Sequence, residues 1–318
     1  MPGTFFCMNR YNKLSFYWKN LFQTRIQKIP LDAGFDCPNR DGLISRNGCI
    51  FCTLQGSGTG LGICGMGLRE QYHYWRVRLR EKYKSCAFAA YLQSYSNTYG
   101  PLSKLKATLN QLLDLPDLRV FCAGTRPDCI DKDKARLLAG FPADEIWLEL
   151  GLQSANDKTL SLINRGHSAE DFDRACDMAE KRGLRICAHV IAGLPGEDIN
   201  DFADTVLFLN RLPVHGIKIH NLYVCAGTTL AQWWQNGLYT PLTLEEYAAW
   251  TARAITLIRP DIIIHRTASD PAGAELLAPA WAEKKNMVIN TIDRILENNN
   301  QHQGQNFTKL TQHGTPRL

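Results

Sequence analysis

Residues 145–193 read EIWLELGLQSANDKTLSLINRGHSAEDFDRACDMAEKRGLRICAHVIAG. The two ends of this stretch, 145–151 and 184–193, are rich in apolar and β-branched residues, and each predicts a buried strand. Between them, residues 168–182 carry apolar side chains at the spacing of an amphipathic helix. A strand, a helix and a second strand in this order predict a right-handed crossover between parallel strands.

The same alternation continues on both sides of this unit. Four further predicted strands are 26–34, 89–95, 118–124 and 216–224. Amphipathic stretches that supply the crossovers lie near 67–84, 102–114, 131–140 and 199–211. The sequence therefore predicts an α/β fold, a partial (β/α)6 TIM-like barrel of parallel strands. In such a barrel, functional groups collect at the carboxyl ends of the strands.

After residue 225 the alternation weakens. A helix at 243–260, one further strand at 261–267 and a last helix at 287–299 are predicted there. We therefore expect three parts: a barrel core with a short N-terminal segment over 1–225, a helical C-terminal extension packed on the barrel over 226–298, and a polar, disordered tail over 299–318.

The composition excludes several classes of protein. The chain has 318 residues, of which 45% are hydrophobic and 21% charged, and this balance indicates a folded chain with a core. No segment approaches the ~20 consecutive apolar residues of a membrane span. The first residues lack the apolar region of a secretion signal, so we expect a cytoplasmic protein with no membrane partner. The net charge of +5 permits an anionic partner but does not require one.

Three of the eleven cysteines lie in one loop after the first strand. FDCPNRDGLISRNGCIFC, residues 35–52, places eleven residues between Cys37 and Cys49 and two between Cys49 and Cys52. A structural zinc site usually has four ligands, and Cys64 is a candidate for the fourth. Three thiolates alone leave one metal position open, which suits an iron-sulfur cluster with one accessible iron. A zinc loop and three unrelated buried cysteines are the alternatives.

Four motifs in a fixed order carry a resemblance to a known family. They are the cysteine loop, GTRPDC (124–129), WLELGLQSANDKTLSLINRGH (147–167) and HVIAGLPGE (189–197). Together they resemble radical S-adenosylmethionine (SAM) proteins of the YhcC/YtqA type over most of the chain. The eleven-residue gap, where the superfamily usually has three residues, is typical of that branch. TRPD, ELGLQS and INRGH are more distantly similar to the radical domain of the Elongator catalytic subunit, which modifies wobble uridine in tRNA.

This resemblance implies a 4Fe-4S cluster on Cys37, Cys49 and Cys52, with SAM bound to the fourth iron. One-electron reduction of SAM would give methionine and a 5′-deoxyadenosyl radical, which removes hydrogen from an unreactive carbon. The protein would then exclude water and position the target. An electron donor such as flavodoxin or ferredoxin is the implied partner.

The resemblance also implies residues that bind SAM. Many superfamily members bind the methionine amine with a Gly-Gly-Glu stretch. Here that position reads Tyr-Ser-Asn-Thr, where Ser96 and Asn97 are candidate acceptors and a simple turn is the alternative. Gln153 and Arg165 fall at SAM-contacting positions. Gly193, in the GLPGE turn, would let the backbone approach the adenine or ribose.

Ionisable residues inside predicted strands indicate a polar barrel interior. Glu149 lies in an apolar strand and needs a partner, because an isolated buried carboxylate is costly. We predict that Glu149 binds the SAM ribose or amine, with an ion pair to Lys218 as the alternative. The period of two places Lys218 and His220 on one face of their strand. These two residues and His189 either line a substrate cavity or pack as core residues.

Cys129 follows the third predicted strand and could reach the cavity. It is a candidate catalytic residue that donates a hydrogen atom or binds the substrate covalently, and an inert buried thiol is the alternative. In the same loop, Arg126 and Asp128 either position the adenosyl part of SAM or pair with each other.

One segment indicates the class of substrate. Residues 69–84, REQYHYWRVRLREKYK, interleave basic and aromatic residues, which can neutralise phosphates and stack on bases. A solvated helix face with its aromatic side chains packed inward is the alternative. We predict a radical SAM enzyme for tRNA wobble uridine, with weaker tRNA binding after charge reversal of Arg76 and Arg80. A small metabolite or protein side chain as substrate, and a non-catalytic zinc-containing RNA-binding protein, are the alternatives.

Overall fold

The computed structural model describes residues 10–53, 56, 61–62, 64–84, 87–271 and 273–308. Its strands are β1 (Ile26–Leu31), β2 (Ala87–Leu92), β3 (Leu118–Thr125), β4 (Glu145–Gln153), β5 (Arg185–Ala192), β6 (Gly216–Asn221), β7 (Val224–Cys225), β8 (Ile263–Arg266) and β9 (Leu276–Ala278). Its helices are α1 (Leu14–Phe22), α2 (Leu68–Tyr83), α3 (Leu102–Gln111), α4 (Lys132–Ala139), α5 (Asp157–Leu162), α6 (Ala169–Glu180), α7 (Ile199–Leu209), α8 (Thr229–Gln235), α9 (Leu244–Leu257) and α10 (Lys285–Asn298).

Seven parallel strands form one curled sheet in the order β1-β2-β3-β4-β5-β6-β8, which builds half of a barrel. This confirms the predicted partial TIM-like barrel. The seventh strand is β8, which lies within the further strand predicted at 261–267 and pairs with β6 through Gly216 and Ile217. The sheet therefore extends into the segment that the sequence assigned to a helical extension. The short strands β7 and β9 form a separate antiparallel pair.

The crossover helices form where a cap and an apolar stripe coincide, as in α6. The Ser168 hydroxyl accepts from the Asp171 N–H, and the Asp171 carboxylate accepts from the Ser168 N–H, so two end groups of the helix are satisfied. Phe172, Cys176 and Ala179 then recur at helical spacing and are buried. Burial of a side chain such as Phe172 contributes about 1.5–3 kcal/mol.

Helix α1 packs against the amino-terminal end of the sheet, and the sequence analysis did not predict it. Trp18 is buried against Ile26 of β1 and Trp147 of β4. The indole N–H groups of Trp18 and Trp147 donate to Oε2 of Glu145 at 3.0 and 3.1 Å, and the Tyr17 hydroxyl donates to the other oxygen. The functional end of the half-barrel is therefore the opposite one.

The predicted disordered tail is wrong for residues 299–308. Gln303 is buried, and its amide donates to the carbonyls of Arg259 and Ile262 at 2.8 Å each. Its backbone N–H donates to the Arg10 carbonyl at 2.8 Å. Polar side chains that satisfy buried backbone groups order this segment, which the polar composition did not reveal. Residues 309–318 lie outside the described residues.

In the described ranges, no helix has both the length and the apolar character that crossing a bilayer requires.

Candidate functional site

The predicted site residues lie around the carboxyl ends of the strands. The order is Cys37 after β1, Asn97 after β2, Cys129 after β3, Gln153 at the end of β4 and Gly193 after β5. Because the strands are parallel, these ends meet at one edge of the sheet.

Two turns hold the predicted metal-binding cysteines. The backbone N–H groups of Arg40 and Asp41 donate to the Cys37 carbonyl at 2.9 and 3.2 Å, and the Cys52 N–H donates to the Cys49 carbonyl at 3.0 Å. Cys49 is buried, while Cys37 and Cys52 are partly exposed. Cys64, the candidate fourth zinc ligand, is exposed.

The segment after α5 packs on the cysteine loop. The Asn164 side-chain amide donates to the Gly48 carbonyl at 2.6 Å. The next residue, Arg165, directs Nη1 to Sγ of Cys49 at 3.5 Å. A predicted SAM-binding residue and a predicted cluster ligand are therefore in direct contact.

Burial favours the protonated thiols of Cys37 and Cys52 when nothing is bound to them. Burial is the main cause that raises the pKa of Cys37. Burial first, and then the neighbouring Cys49, raise the pKa of Cys52 to about 11. A bound metal centre displaces such protons, so ligation and deprotonation are coupled.

Three thiols in one loop can serve as ligands of an iron-sulfur cluster. Among the residues that the structure describes, no three His, Cys, Asp or Glu side chains are grouped closely enough to hold one metal ion. An iron-sulfur cluster accepts each cysteine on a different iron, so its thiolates need not converge on one point. The three cysteines therefore suit the cluster that the family resemblance implies, and their role as its ligands stays a prediction.

Asn97 presents an acceptor without a partner in the Tyr-Ser-Asn-Thr turn. Its amide N–H donates to the carbonyls of Leu92 and Gly124 at 3.1 and 2.8 Å, which fixes the direction of the amide. The buried Oδ1 has no hydrogen-bond partner in the described part of the chain. The Ser96 hydroxyl, in contrast, accepts from the Arg126 N–H at 3.1 Å. Asn97 therefore fits an ammonium group better than Ser96 does.

Gly151 makes room for two predicted SAM-binding side chains. A Cβ at this position would lie 2.5 Å from Nη2 of Arg165 and 2.6 Å from Nε2 of Gln153. Arg165 also donates to the Gly151 carbonyl and to Nε2 of His167, at 2.9 Å each. Burial, and then Arg165, lower the pKa of His167 to about 2, so the ring is a neutral acceptor.

Gln153 has a backbone conformation that L residues rarely adopt. Its φ is 76°, in the left-handed region, and the pairing of β4 with β5 is irregular between Gly151 and Gln153. Such strain is concentrated at functional sites. Neither Gly151 nor His167 was singled out from the sequence, although both lie within the motif that carries the resemblance.

Gly193 turns the chain after β5 with a φ of 87°, which favours glycine. Its carbonyl accepts from the Tyr239 hydroxyl at 2.9 Å. A Cβ would lie 3.0 Å from the side chain of Leu242. The space beside Gly193 is thus filled by the C-terminal segment, and the role of Gly193 toward adenine or ribose stays a prediction.

The loop after β3 contains the ion pair that the sequence offered as the alternative role of Arg126 and Asp128. Arg126 donates to both carboxylate oxygens of Asp128 at 2.8 Å and to the Arg165 carbonyl at 2.7 Å. Cys129 is buried, and burial followed by Asp128 raises its pKa to about 11. The raised pKa disfavours a thiolate nucleophile and preserves the S–H that hydrogen-atom donation would use.

Glu149 forms ion pairs across the half-barrel. Lys28 donates to Oε1 at 2.5 Å, and Lys218 and Nε2 of His189 contact Oε2, the latter at 2.8 Å. Burial opposes ionisation, but Lys218 and then Lys28 hold the pKa of Glu149 well below its usual value. Both oxygens are therefore engaged within the protein, and the structure contains the alternative, an ion pair with Lys218. The contact of Glu149 with the cofactor stays a prediction.

The predicted cavity residues do lie together. The rings of His189 and His220 are 5.3 Å apart. Burial lowers the pKa of His189 to about 4 and that of His220 well below its usual value, so both rings are neutral near pH 7. The sequence analysis missed Lys28 and Tyr91, whose hydroxyl accepts from Lys218 at 3.3 Å. Lys28 could have been noticed from the sequence, because it is a basic residue within a buried strand, where side chains alternate between the two faces of the sheet.

The basic and aromatic segment forms α2. Some of its side chains agree with the alternative of a helix with a solvated face and aromatic side chains packed inward. Tyr72 is buried. Arg76 and Arg80 both contact Asp117 at 2.6 Å. Arg78 is exposed and lies over the Tyr74 ring, 3.5 Å from its centroid.

Comparison with known proteins agrees with this geometry. A family model described as the Radical SAM superfamily matches residues 45–209, and one described as the Radical_SAM C-terminal domain matches residues 214–298. The uncharacterized protein YtqA of Bacillus subtilis is 34% identical over 302 residues, which cover 95% of this chain and 94% of YtqA. Protein YhcC of Escherichia coli is 35% identical over 274 residues, which cover 86% and 87% of the two chains.

Two further likenesses are more distant. A tRNA uridine(34) acetyltransferase of Dehalococcoides mccartyi is 31% identical over 152 residues, which cover 47% of this chain and 33% of that protein. The structure of the archaeal Methanocaldococcus infernus Elp3 shares the fold, with a TM-score of 0.69, 17% identity and coverage of 87% of this chain and 64% of that one. Because the superfamily model covers more than half of the sequence and YtqA is similar along almost all of it, the chain belongs to the radical SAM superfamily, whose members use a 4Fe-4S cluster and SAM.

Proposed function

We propose that this radical SAM enzyme modifies the wobble uridine of tRNA, and that Cys37, Cys49 and Cys52 hold its cluster. The main support for this site is the contact of Arg165 with Cys49. It joins the cysteine loop to the motif that contains Arg165, although the two are far apart in the sequence. When bound, the cluster and SAM supply one-electron chemistry that removes a hydrogen atom from an unreactive carbon.

The residues at the strand ends suit the polar groups of SAM. Oδ1 of Asn97 can accept a hydrogen bond from the ammonium group. The guanidinium of Arg165, beside Gln153 and over Gly151, suits the carboxylate. These contacts would fix the orientation of SAM relative to the half-barrel.

The half-barrel interior would receive the substrate. His189 and His220 are neutral at pH 7. The ring of His189 donates to Glu149 through Nε2, so it can accept a hydrogen bond from a nucleobase at Nδ1, and Nε2 of His220 can donate or accept one. Lys218 is in contact with Glu149. The surrounding buried residues keep water away from the reacting carbon.

Two observations support tRNA as the substrate. The partial likeness to a tRNA uridine(34) acetyltransferase extends over 152 residues. Helix α2 adds exposed basic side chains, among them Arg69, Arg78 and Lys82, which can contact phosphates.

The test is incubation of anaerobically reconstituted protein with dithionite, SAM and bulk tRNA from cells that lack this gene. We expect 5′-deoxyadenosine, and a change in nucleoside mass at the wobble uridine that requires both SAM and protein. Formation of 5′-deoxyadenosine with no change in any tRNA nucleoside would reject the substrate while leaving the enzyme class intact.

Cysteine variants test the cluster ligands in the same experiment. Each of Cys37→Ser, Cys49→Ser and Cys52→Ser should lose most of the bound iron and sulfide and form no 5′-deoxyadenosine. Cys176→Ser is the matched control, because Cys176 is a buried thiol of α6 outside the site. Full iron content in all three loop variants would show that the ligands lie elsewhere.

A further inference from the structure

Asn39 lies in the eleven-residue gap between Cys37 and Cys49, and it is completely buried, with 0% of its surface exposed. Its side-chain N–H groups donate to Sγ of Cys49 at 3.6 Å and to the Asn164 carbonyl at 2.6 Å. Its own carbonyl accepts from the Gly48 N–H at 2.8 Å. The side-chain nitrogen thus contacts both the sulfur and the Asn164 carbonyl, while the backbone of Asn39 is bonded to Gly48 within the loop.

We propose that Asn39 is a positioning residue that raises the reduction potential of the cluster through this N–H···S hydrogen bond. The inference rests on the proposed ligation by Cys49. A reduced cluster carries one more negative charge than an oxidised cluster, so a donor on a ligand sulfur stabilises the reduced form more. Arg165 donates to the same sulfur at 3.5 Å, so donors are concentrated on Cys49.

The contact with sulfur can be separated from the anchoring of the loop. Asn164 donates to the Gly48 carbonyl at 2.6 Å and to the Ser45 hydroxyl at 3.2 Å. It therefore anchors the same loop through its side chain without contacting a thiol. The φ of Asn164 is 52°, so Asn164→Gly removes the anchoring bonds and adds no backbone strain.

The experiment compares midpoint potentials of reconstituted proteins by a redox titration followed by electron paramagnetic resonance. Asn39→Leu keeps the branched shape of the side chain but removes the donor. We expect a shift to more negative potential, so that the ratio of reduced to oxidised cluster at a fixed potential falls about threefold to tenfold. The tenfold limit corresponds to about 59 mV for a one-electron couple. Asn164→Gly should lower cluster retention and leave the potential unchanged.

A wild-type potential in Asn39→Leu protein with full iron and sulfide content overturns the proposal. If Asn39→Leu does not retain a cluster, Asn39→Asp supplies the measurement, since it is isosteric and replaces the donor with an acceptor. Asn39→Asp should also shift the potential to more negative values, and an unchanged potential rejects the inference. Retention of iron by Cys49→Ser would instead reject the ligand assignment, which distinguishes the two failures.

Discussion

One carboxylate, that of Glu149, connects three strands inside the half-barrel. It contacts Lys28 of β1, His189 of β5 and Lys218 of β6. Removal of one member of a buried ion pair is costly, because the remaining charge has lost both water and its partner. This contact network therefore depends on the ionisation of Glu149.

Glu149→Gln should lower the free energy of unfolding by about 3–5 kcal/mol at pH 7, because Lys28 and Lys218 lose their counter-charge. The loss should be smaller at pH 9. Burial lowers the pKa of Lys218 from 10.5 to about 8, so this lysine is largely neutral at pH 9 and no longer needs the carboxylate. Urea denaturation under anaerobic conditions at both pH values measures the difference.

At acid pH the contribution of Glu149 to stability decreases as the pH falls. Folding lowers the pKa of Glu149 from its usual 4.5, so its stabilising effect is present above pH 4.5 and is lost as the pH falls through the folded value. Glu149→Gln should lack this part of the acid dependence. An equal loss of stability at pH 7 and pH 9 would contradict the assignment of the buried charges.

Several site residues were predictable because they belong to motifs, whereas their partners were not. The spacing of Cys37, Cys49 and Cys52 and the position of Arg165 lead to one place in the fold. The ion pair of Glu149 with Lys28 joins residues 121 positions apart. Such a pairing depends on the curvature of the sheet, and alternation along single strands does not contain that information.

Helix α1 stabilises the end of the half-barrel opposite to the candidate site. Trp18→Ala removes a buried indole that packs on β1 and β4 and donates to Glu145, so we expect a loss of about 3–5 kcal/mol in the free energy of unfolding. Phe16→Ala is the matched control in the same helix, because Phe16 is 44% exposed, and it should change stability by less than about 0.5–1 kcal/mol. Thermal or urea unfolding measures both.

Equal effects of the two substitutions would show that α1 is not anchored through Trp18. The strands of the barrel were predictable from their apolar runs, but α1 was not. Its first turn has no acidic residue and no side-chain cap, so the usual signals of a helix start are missing. Packing against the sheet, and not local propensity, determines this helix.

On the scale of the molecule, tRNA binding should depend on the exposed charges of α2. Arg76 and Arg80, the residues first expected to bind tRNA, contact Asp117, so their reversal would also disturb an ion pair. Arg78→Glu with Lys82→Glu should weaken tRNA binding. The slope of log affinity against log salt concentration should also become shallower by about one for each lost phosphate contact.

The control must change the charge by the same amount on another helix. Lys181→Glu with Arg182→Glu at the end of α6 meets this condition, since both side chains are exposed. Binding measured by filter retention over a range of salt concentrations compares the two double variants. Equal weakening by both would indicate a nonspecific effect of net charge and would remove α2 from the tRNA surface.

The pairing at the two borders of the sheet has a consequence for self-association. An open sheet ends in strands whose backbone groups could recruit a strand of another molecule and start a fibril. Here Asn12 accepts from the Ile264 N–H at 2.8 Å beside a bridge between Lys13 and Ile264, which occupies the border at β8. At the other border, Pro30 of β1 has no N–H to offer. Each border thus carries its own protection against strand addition, so the half-barrel can stay open without becoming a template for aggregation.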